Sequence, residues 1–200
     1  MDDTTTLILV RHARVDNPNE VVYSDLPGFD LDPTGVLQAH LLGAHLEATP
    51  VQLVISSPLA RARATATAVA RRHALRVTID ERLTEWGLSS TWTGRRWDQL
   101  ETERPGELEA YLATPDDLPF AEETLADLAS RMVATVESTV PNGATTVIVS
   151  HQDPVAALIL SLTNQPLRGL LAAPPRHASA TVLALGGTGW RMVDQWSPDL

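Results

Sequence analysis

Three times along this chain a short, mainly apolar run stops abruptly on polar residues, and the intervening segments carry helical spacing. The runs are Leu7-Ile8-Leu9-Val10, Val51-Gln52-Leu53-Val54-Ile55 and Thr145-Thr146-Val147-Ile148-Val149. Segments of this length and composition read as strands covered on both faces, the mark of a parallel sheet with helices on either side. The helices announce themselves. Asp32-Pro33 supplies an N-cap and a proline for the first turn, and Gly35, Ala39, Leu42 and Leu46 follow at helical spacing, predicting a helix through about His45. Ser57-Pro58 starts a second helix over Leu59 to Ala74. Leu125, Leu128, Met132 and Val136 mark an amphipathic third, and Asp153-Pro154 opens a fourth that runs through Leu162. Arg76 to Ile79 reads as a short strand, and Thr181 to Leu185 with Trp190 to Gln195 form a closing strand pair around Gly186-Gly187-Thr188-Gly189. Strands alternating with helices predict an α/β fold: a three-layer α/β/α sandwich with a mostly parallel central sheet.

Two hundred residues suit one domain, and 44% hydrophobic with 20% charged residues is a globular composition. A single domain over 1–200 is expected, with one interruption. From Thr84 to Phe120, Trp86, Trp92 and Trp97 fall with Pro105, Pro115 and Pro119 among charged residues, which reads as a partly helical excursion covering the substrate over 84–120. The net charge of −10 argues against nucleic acid or an anionic membrane as partner, since either needs a basic stripe. All fifteen basic residues are arginine, so every fixed cation is a fork suited to phosphate or carboxylate. The absence of cysteine excludes thiol catalysis and thiolate metal sites. An acidic N-terminus and a first apolar run too short for a signal peptide or membrane span lead us to expect a soluble cytoplasmic protein.

Ligands in parallel sheets bind beyond the carboxyl ends of the strands. There the chain places Arg11-His12, then Ser56-Ser57-Pro58-Leu59-Ala60-Arg61, then Ser150-His151. Two of the three lead into helix N-termini, whose unpaired N–H groups favour anions. Two arginines, two histidines and two helix starts converging on one point describe a phosphate pocket.

Leu9-Val10-Arg11-His12, Ser57-Pro58-Leu59-Ala60-Arg61-Ala62, Leu83-Thr84-Glu85 and Ser150-His151, in this order, resemble the histidine phosphatase superfamily, in the branch named after cofactor-dependent phosphoglycerate mutase. Leu31, Gly35, Gln38, Ala39 and Gly43 match that family's first crossover helix. The resemblance implies the phosphoglycerate mutase-like form of the sandwich, with His12 as the nucleophile that becomes a phosphohistidine. Arg11, Arg61 and His151 would clamp the phosphoryl oxygens, and Glu85 would act as acid and then as base, with Glu81 and Glu101 the neighbouring carboxylates to weigh against it. The family's pocket asparagine falls on Asn17 or Asn19, and Asn17 is preferred as a substrate-binding residue. Three positions depart from the family pattern: Ala13 replaces the usual glycine, Arg14 replaces the mutases' glutamate and makes the pocket more positive, and Gln152 replaces the commonest glycine. His40, His45, His73 and His177 have no partner pattern and are assigned to packing or surface, and Arg63 to structure.

The expected activity is metal-independent phosphatase action on a small phosphorylated metabolite, with no cofactor and no metal; a homodimer is left open. A phosphoglycerate mutase is the rival within the fold. Mutases of this type carry a C-terminal tail that shields the phosphohistidine, and here about five residues follow the last strand. A non-catalytic phospho-ligand binder would usually have lost the nucleophile or an arginine. A binuclear metal hydrolase would need clustered histidines and aspartates, whereas His12 and His151 are isolated in sequence.

Overall fold

The structure, a computed structural model, describes residues 4–88 and 90–200. Four strands, β1 (Thr6–Arg11), β2 (Leu53–Ser56), β3 (Val77–Ile79) and β4 (Thr145–Ser150), run parallel in the order β3-β2-β4-β1. Beyond β1 the sheet continues with β5 (Ala180–Gly186), antiparallel to β1, and β6 (Gly189–Trp196), antiparallel to β5. The fold is the three-layer α/β/α sandwich with a mostly parallel sheet, and side-chain alternation explains its layers. Ile8 and Val10 of β1 point to the face covered by α1 (Pro33–Leu46) and α2 (Ala60–Arg72), where they join Leu42, Leu46, Ala66 and Val69. Leu7 and Leu9 point the other way, into a core with Leu128 and Met132 of α5 (Leu125–Thr139) and Val155 and Leu158 of α6 (Gln152–Leu162). Both faces of β1 are therefore dry, and its run of apolar residues has no polar alternation to show.

Register brings the site together. Arg11 pairs with Ser150 and Ser56 with Val149, and the ladder is extended by His12 N–H to Ser150 O (2.9 Å) and Ser57 N–H to Val149 O (3.0 Å). The ends of β1, β2 and β4 are thus level, and the residues that follow them share one edge of the sheet.

Helix α1 is capped by Asp32, whose carboxylate accepts from Gly35 N–H at 2.6 Å. Its glycines permit close approach: a Cβ on Gly35 would lie 1.9 Å from the Arg14 carbonyl oxygen, and one on Gly43 would lie 2.7 Å from that of Ala68 in α2. The other helix starts differ from expectation by a residue or two. α6 begins at Gln152, with Pro154 in its first turn, where a missing N–H costs nothing; Asp153 is therefore inside the helix, and its carboxylate accepts from Tyr111 and Gln152 instead of capping. α2 begins at Ala60 rather than Leu59.

The stretch from 84 to 120 holds a 3-10 turn at Trp97–Gln99 and two short helices, α3 (Leu100–Glu103) and α4 (Glu107–Ala113). Trp86, Trp92 and Tyr111 are buried in it, continuous with the core under α5 and α6. Among the described residues no helix is long and apolar enough to cross a membrane.

Candidate active site

His12 lies at the end of β1 and is 1% exposed. Its Nδ1 is 2.8 Å from the carbonyl oxygen of Ala13, so Nδ1 carries the proton and donates, leaving the Nε2 lone pair available. Burial, then the positive surroundings of His151, Arg61 and Arg11, hold the imidazole pKa well below its ordinary value. The ring is neutral at physiological pH and needs no base to become a nucleophile. Ala13 N–H donates to Thr65 Oγ1 (3.0 Å), which itself donates to the Arg61 carbonyl (2.8 Å), so the loop after β1 is tied to the first turns of α2. Ala13 has a negative φ, so its methyl carries no left-handed strain.

Three further predicted residues surround His12. His151, fully buried at the N-terminus of α6, has its ring 5.2 Å from that of His12. Its Nε2 is 2.8 Å from Ser57 Oγ, and burial together with Arg61 and Arg11 depresses its pKa. Ser57 Oγ accepts from Leu59 N–H, and His151 Nε2 is the acceptor its hydroxyl meets among the described residues, which assigns the His151 proton to Nδ1, 3.9 Å from Glu85 Oε2. Arg61 is 1% exposed, donates to the Ser24 carbonyl and lies 4.7 Å from the centre of the Tyr23 ring. Arg11 Nη1 donates to Gln152 Oε1 (2.7 Å) and to Pro175 O (2.9 Å). Among the described residues Arg11 Nε, Arg61 Nε and His151 Nδ1 are buried donors without a hydrogen-bond partner. Unsatisfied buried donors are costly, and three on the side chains around one imidazole form a cradle for an anion.

Glu85 is half-buried, and its Oε1 accepts from Trp86 N–H at 2.8 Å. Burial, with the Asp153 carboxyl close by, pushes its pKa up to about 7. Arg131 of α5 fixes the backbone that carries it: the guanidinium donates to the carbonyls of Arg82, Thr84 and Glu85 at 2.5, 2.9 and 3.2 Å while pairing with Glu123 at 2.5 Å. Ser150 Oγ adds a bond to Leu83 O at 2.7 Å, tying this segment to the end of β4.

The structure departs from the sequence reading at three residues. The Asn17 amide is turned into its own loop, donating to Val21 O (2.9 Å) and accepting from Val21 N–H (3.1 Å); it does not line the cavity. Arg14 adds little charge to the pocket, because its guanidinium is paired with Asp32 (2.6 Å) and bonded to Thr34 (3.0 Å) at the start of α1, and its effect on His177 is opposed by that of Asp32. His177, assigned to packing or surface, is part of the site: its Nε2 is 3.0 Å from Arg11 Nη2 and its ring 5.5 Å from that of His12. Burial and Arg11 bring its pKa down to about 4, so it is neutral and accepts from the guanidinium. Its contact spans the chain from the end of β1 to the approach to β5, and no local pattern announces it. Tyr111 and Asp153 were also not foreseen; Tyr111 Oη donates to Asp153 Oδ2 at 3.0 Å, and burial raises the Asp153 pKa.

A cavity of about 180 Å³ opens beside these groups, lined by Arg11, Glu85, Gln152, Asp153, Tyr23 and the tryptophans of the 84–120 stretch, with the Tyr23 ring 6.4 Å from that of His12. Loop and excursion are joined by backbone hydrogen bonds, Val22 N–H to Arg95 O and Gly94 N–H to Val22 O, both 2.8 Å. Among the described residues no group of three or more histidine, aspartate or glutamate side chains is arranged to hold a metal ion.

Comparison with known proteins agrees with this geometry. The family model of the histidine phosphatase superfamily (branch 1) matches residues 7–197. An uncharacterised Mycobacterium tuberculosis protein is 37% identical over 199 residues, covering 97% of this chain and 96% of its own. Phosphoserine phosphatase 1 of Hydrogenobacter thermophilus is 28% identical over 180 residues, covering 88% and 85%. Among solved structures, a mycobacterial glucosyl-3-phosphoglycerate phosphatase complexed with VO3 superposes with a TM-score of 0.84 at 29% identity, covering 98% of this chain and all of that one. Strand order, level strand ends and the family model extend over the same residues, and the chain belongs to branch 1 of the histidine phosphatase superfamily.

Proposed function

We propose that this protein is a metal-independent phosphomonoesterase that hydrolyses a small phosphorylated metabolite through a phosphohistidine on His12. The observation that carries the reading is the fixed tautomer of His12, with Nδ1–H held by Ala13 O and Nε2 left free among three buried, unsatisfied donor side chains. The Nε2 lone pair attacks phosphorus as the bond to the leaving oxygen breaks. Arg11, Arg61 and His151 hold the phosphoryl oxygens, and positioning with charge stabilisation is most of what such a transfer requires. Glu85, with a pKa near 7, gives its proton to the leaving oxygen. As a carboxylate it then takes a proton from the water that attacks phosphorus, the P–N bond breaks, and His12 regains its lone pair. A cavity of about 180 Å³ suits a small substrate, and the 84–120 excursion covers its non-phosphate end.

The test is to trap the intermediate. Brief incubation with labelled substrate yields a phosphoenzyme that is stable to base and labile to acid, and His12→Ala neither forms it nor turns over while keeping the native circular dichroism spectrum. A base-labile acyl phosphate, or turnover in His12→Ala, would overturn the assignment.

A further inference from the structure

Beyond the phosphate cradle, the cavity has a wall that the phosphoryl chemistry leaves unused. Trp86, Trp92, Trp97 and Tyr111 line it. The polar atoms of three of these rings are already engaged: Trp86 Nε1 donates to Glu123 O (2.8 Å), Trp92 Nε1 to Glu107 Oε2 (2.6 Å) and Tyr111 Oη to Asp153 (3.0 Å). These rings therefore offer carbon to a ligand. Trp97 stands differently. It is 42% exposed, edge-on to Trp92 with ring centres 6.2 Å apart, where a second ring can stack.

Charge narrows the choice of ligand. Among the described lining residues Arg11 is the cation, while Glu85 and Asp153 contribute two carboxyl groups. Arg95 and Arg96, the cations flanking Trp97 in sequence, are paired with Glu103 and Asp98. A second anionic group on the substrate would have no guanidinium of its own, since Arg11 is the lining cation and holds the phosphate. A cationic group would face Arg11, beside carboxyls that burial favours in their neutral form. A polyol would find partners at Glu85, Gln152 and Asp153, but hydroxyls facing the ring wall would be stranded at a cost of about 1–3 kcal/mol for each one left unpaired. An uncharged aromatic group against the ring wall brings no hydroxyl or charge that needs a partner there.

Resting on the phosphatase reading, we propose that the phosphate ester this site accepts carries an uncharged aromatic body, stacked on Trp97, and that Trp97 selects it. The experiment has two arms. Phosphate release is measured with 1-naphthylmethyl phosphate, 3-phosphoglycerate, phosphocholine and glucose 6-phosphate. Calorimetry compares 2-(1-naphthyl)ethylphosphonate with 2-carboxyethylphosphonate, neither of which can be hydrolysed. The naphthyl compounds lead by about tenfold or more in kcat/KM and in Kd. Trp97→Ala raises KM for the naphthyl ester by about 3- to 10-fold with a smaller change in kcat, and Trp97→Phe restores most of the loss. Equal or better use of any of the other three esters, or an unchanged naphthyl preference in Trp97→Ala, would overturn the proposal. If no ester is hydrolysed but the naphthyl phosphonate keeps its lead, the aromatic site stands and the phosphatase reading fails. If esters are hydrolysed without preference, the reverse holds.

Discussion

Glu85 can hold a proton near neutral pH because burial and the Asp153 carboxyl both oppose its ionisation, raising its pKa to about 7. The His12 imidazole is shifted the other way, so acid and nucleophile are each in the required form over the same pH range. This gives kcat/KM a definite shape. Since the first transfer needs protonated Glu85, kcat/KM for an alkyl substrate such as benzyl phosphate falls about tenfold per pH unit above about 7. Depression of the His12 pKa places the acid limb well below pH 6.5. Glu85→Gln removes the alkaline limb and slows benzyl phosphate far more than p-nitrophenyl phosphate, whose phenolate leaves without a proton. A stopped-flow pH series on both substrates checks this. Equal losses on both, or a larger selective loss in Glu81→Gln, would take the acid role away from Glu85.

At the scale of elements, the site depends on how closely α1 approaches the loop after β1. Gly35 and Gly43 are both contact glycines of α1, but they touch different things. A methyl on Gly43 would meet Ala68 O of α2 at 2.7 Å, and one on Gly35 would meet Arg14 O at 1.9 Å, two residues from His12. Each alanine variant should lose about 1–3 kcal/mol in urea unfolding. Gly35→Ala should also lose about tenfold or more in kcat through displacement of the His12 loop, whereas Gly43→Ala keeps kcat near the native value. Equal kcat in the two would show that α1 does not position the nucleophile. These elements were legible because burial writes itself into composition: Leu7 to Val10, dry on both sides, could hardly be anything but a central strand. Arg11, His12, Arg61 and His151 were legible because each directly follows a strand or opens a helix. His177, Arg131 and Tyr111 were not, since each acts across more than forty residues through contacts that only the completed fold creates. Asn17 was misplaced for a local reason, its amide closing a turn on Val21 instead of reaching the cavity.

For the whole molecule, the same site groups bear on stability, and their signs oppose. Glu85 is shifted from 4.5 in the unfolded chain to about 7, so the folded state keeps a proton that the unfolded state has released. Stability from this group is fully present below pH 4.5 and is lost as pH rises through about 7, amounting to up to about 3 kcal/mol. His177 is lowered from 6.5 to about 4, so its neutral form is favoured by folding above pH 6.5 and that advantage is lost as pH falls toward about 4. His12 and His151 act in the same direction as His177. Between about pH 4.5 and 6.5 the carboxyl and the three histidines therefore act in opposite directions, and the net pH dependence of stability is the difference between them. Single substitutions expose them. Urea unfolding of Glu85→Gln should match the native protein at pH 4 and exceed it by about 1–3 kcal/mol at pH 8, because the variant no longer buries a group that must ionise. His177→Gln should narrow the difference in stability between pH 8 and pH 5 by about 1–2 kcal/mol. If Glu85→Gln is no more stable than the native protein at pH 8, the carboxyl is not destabilised by its site, and the proton it is proposed to deliver would have to come from another group.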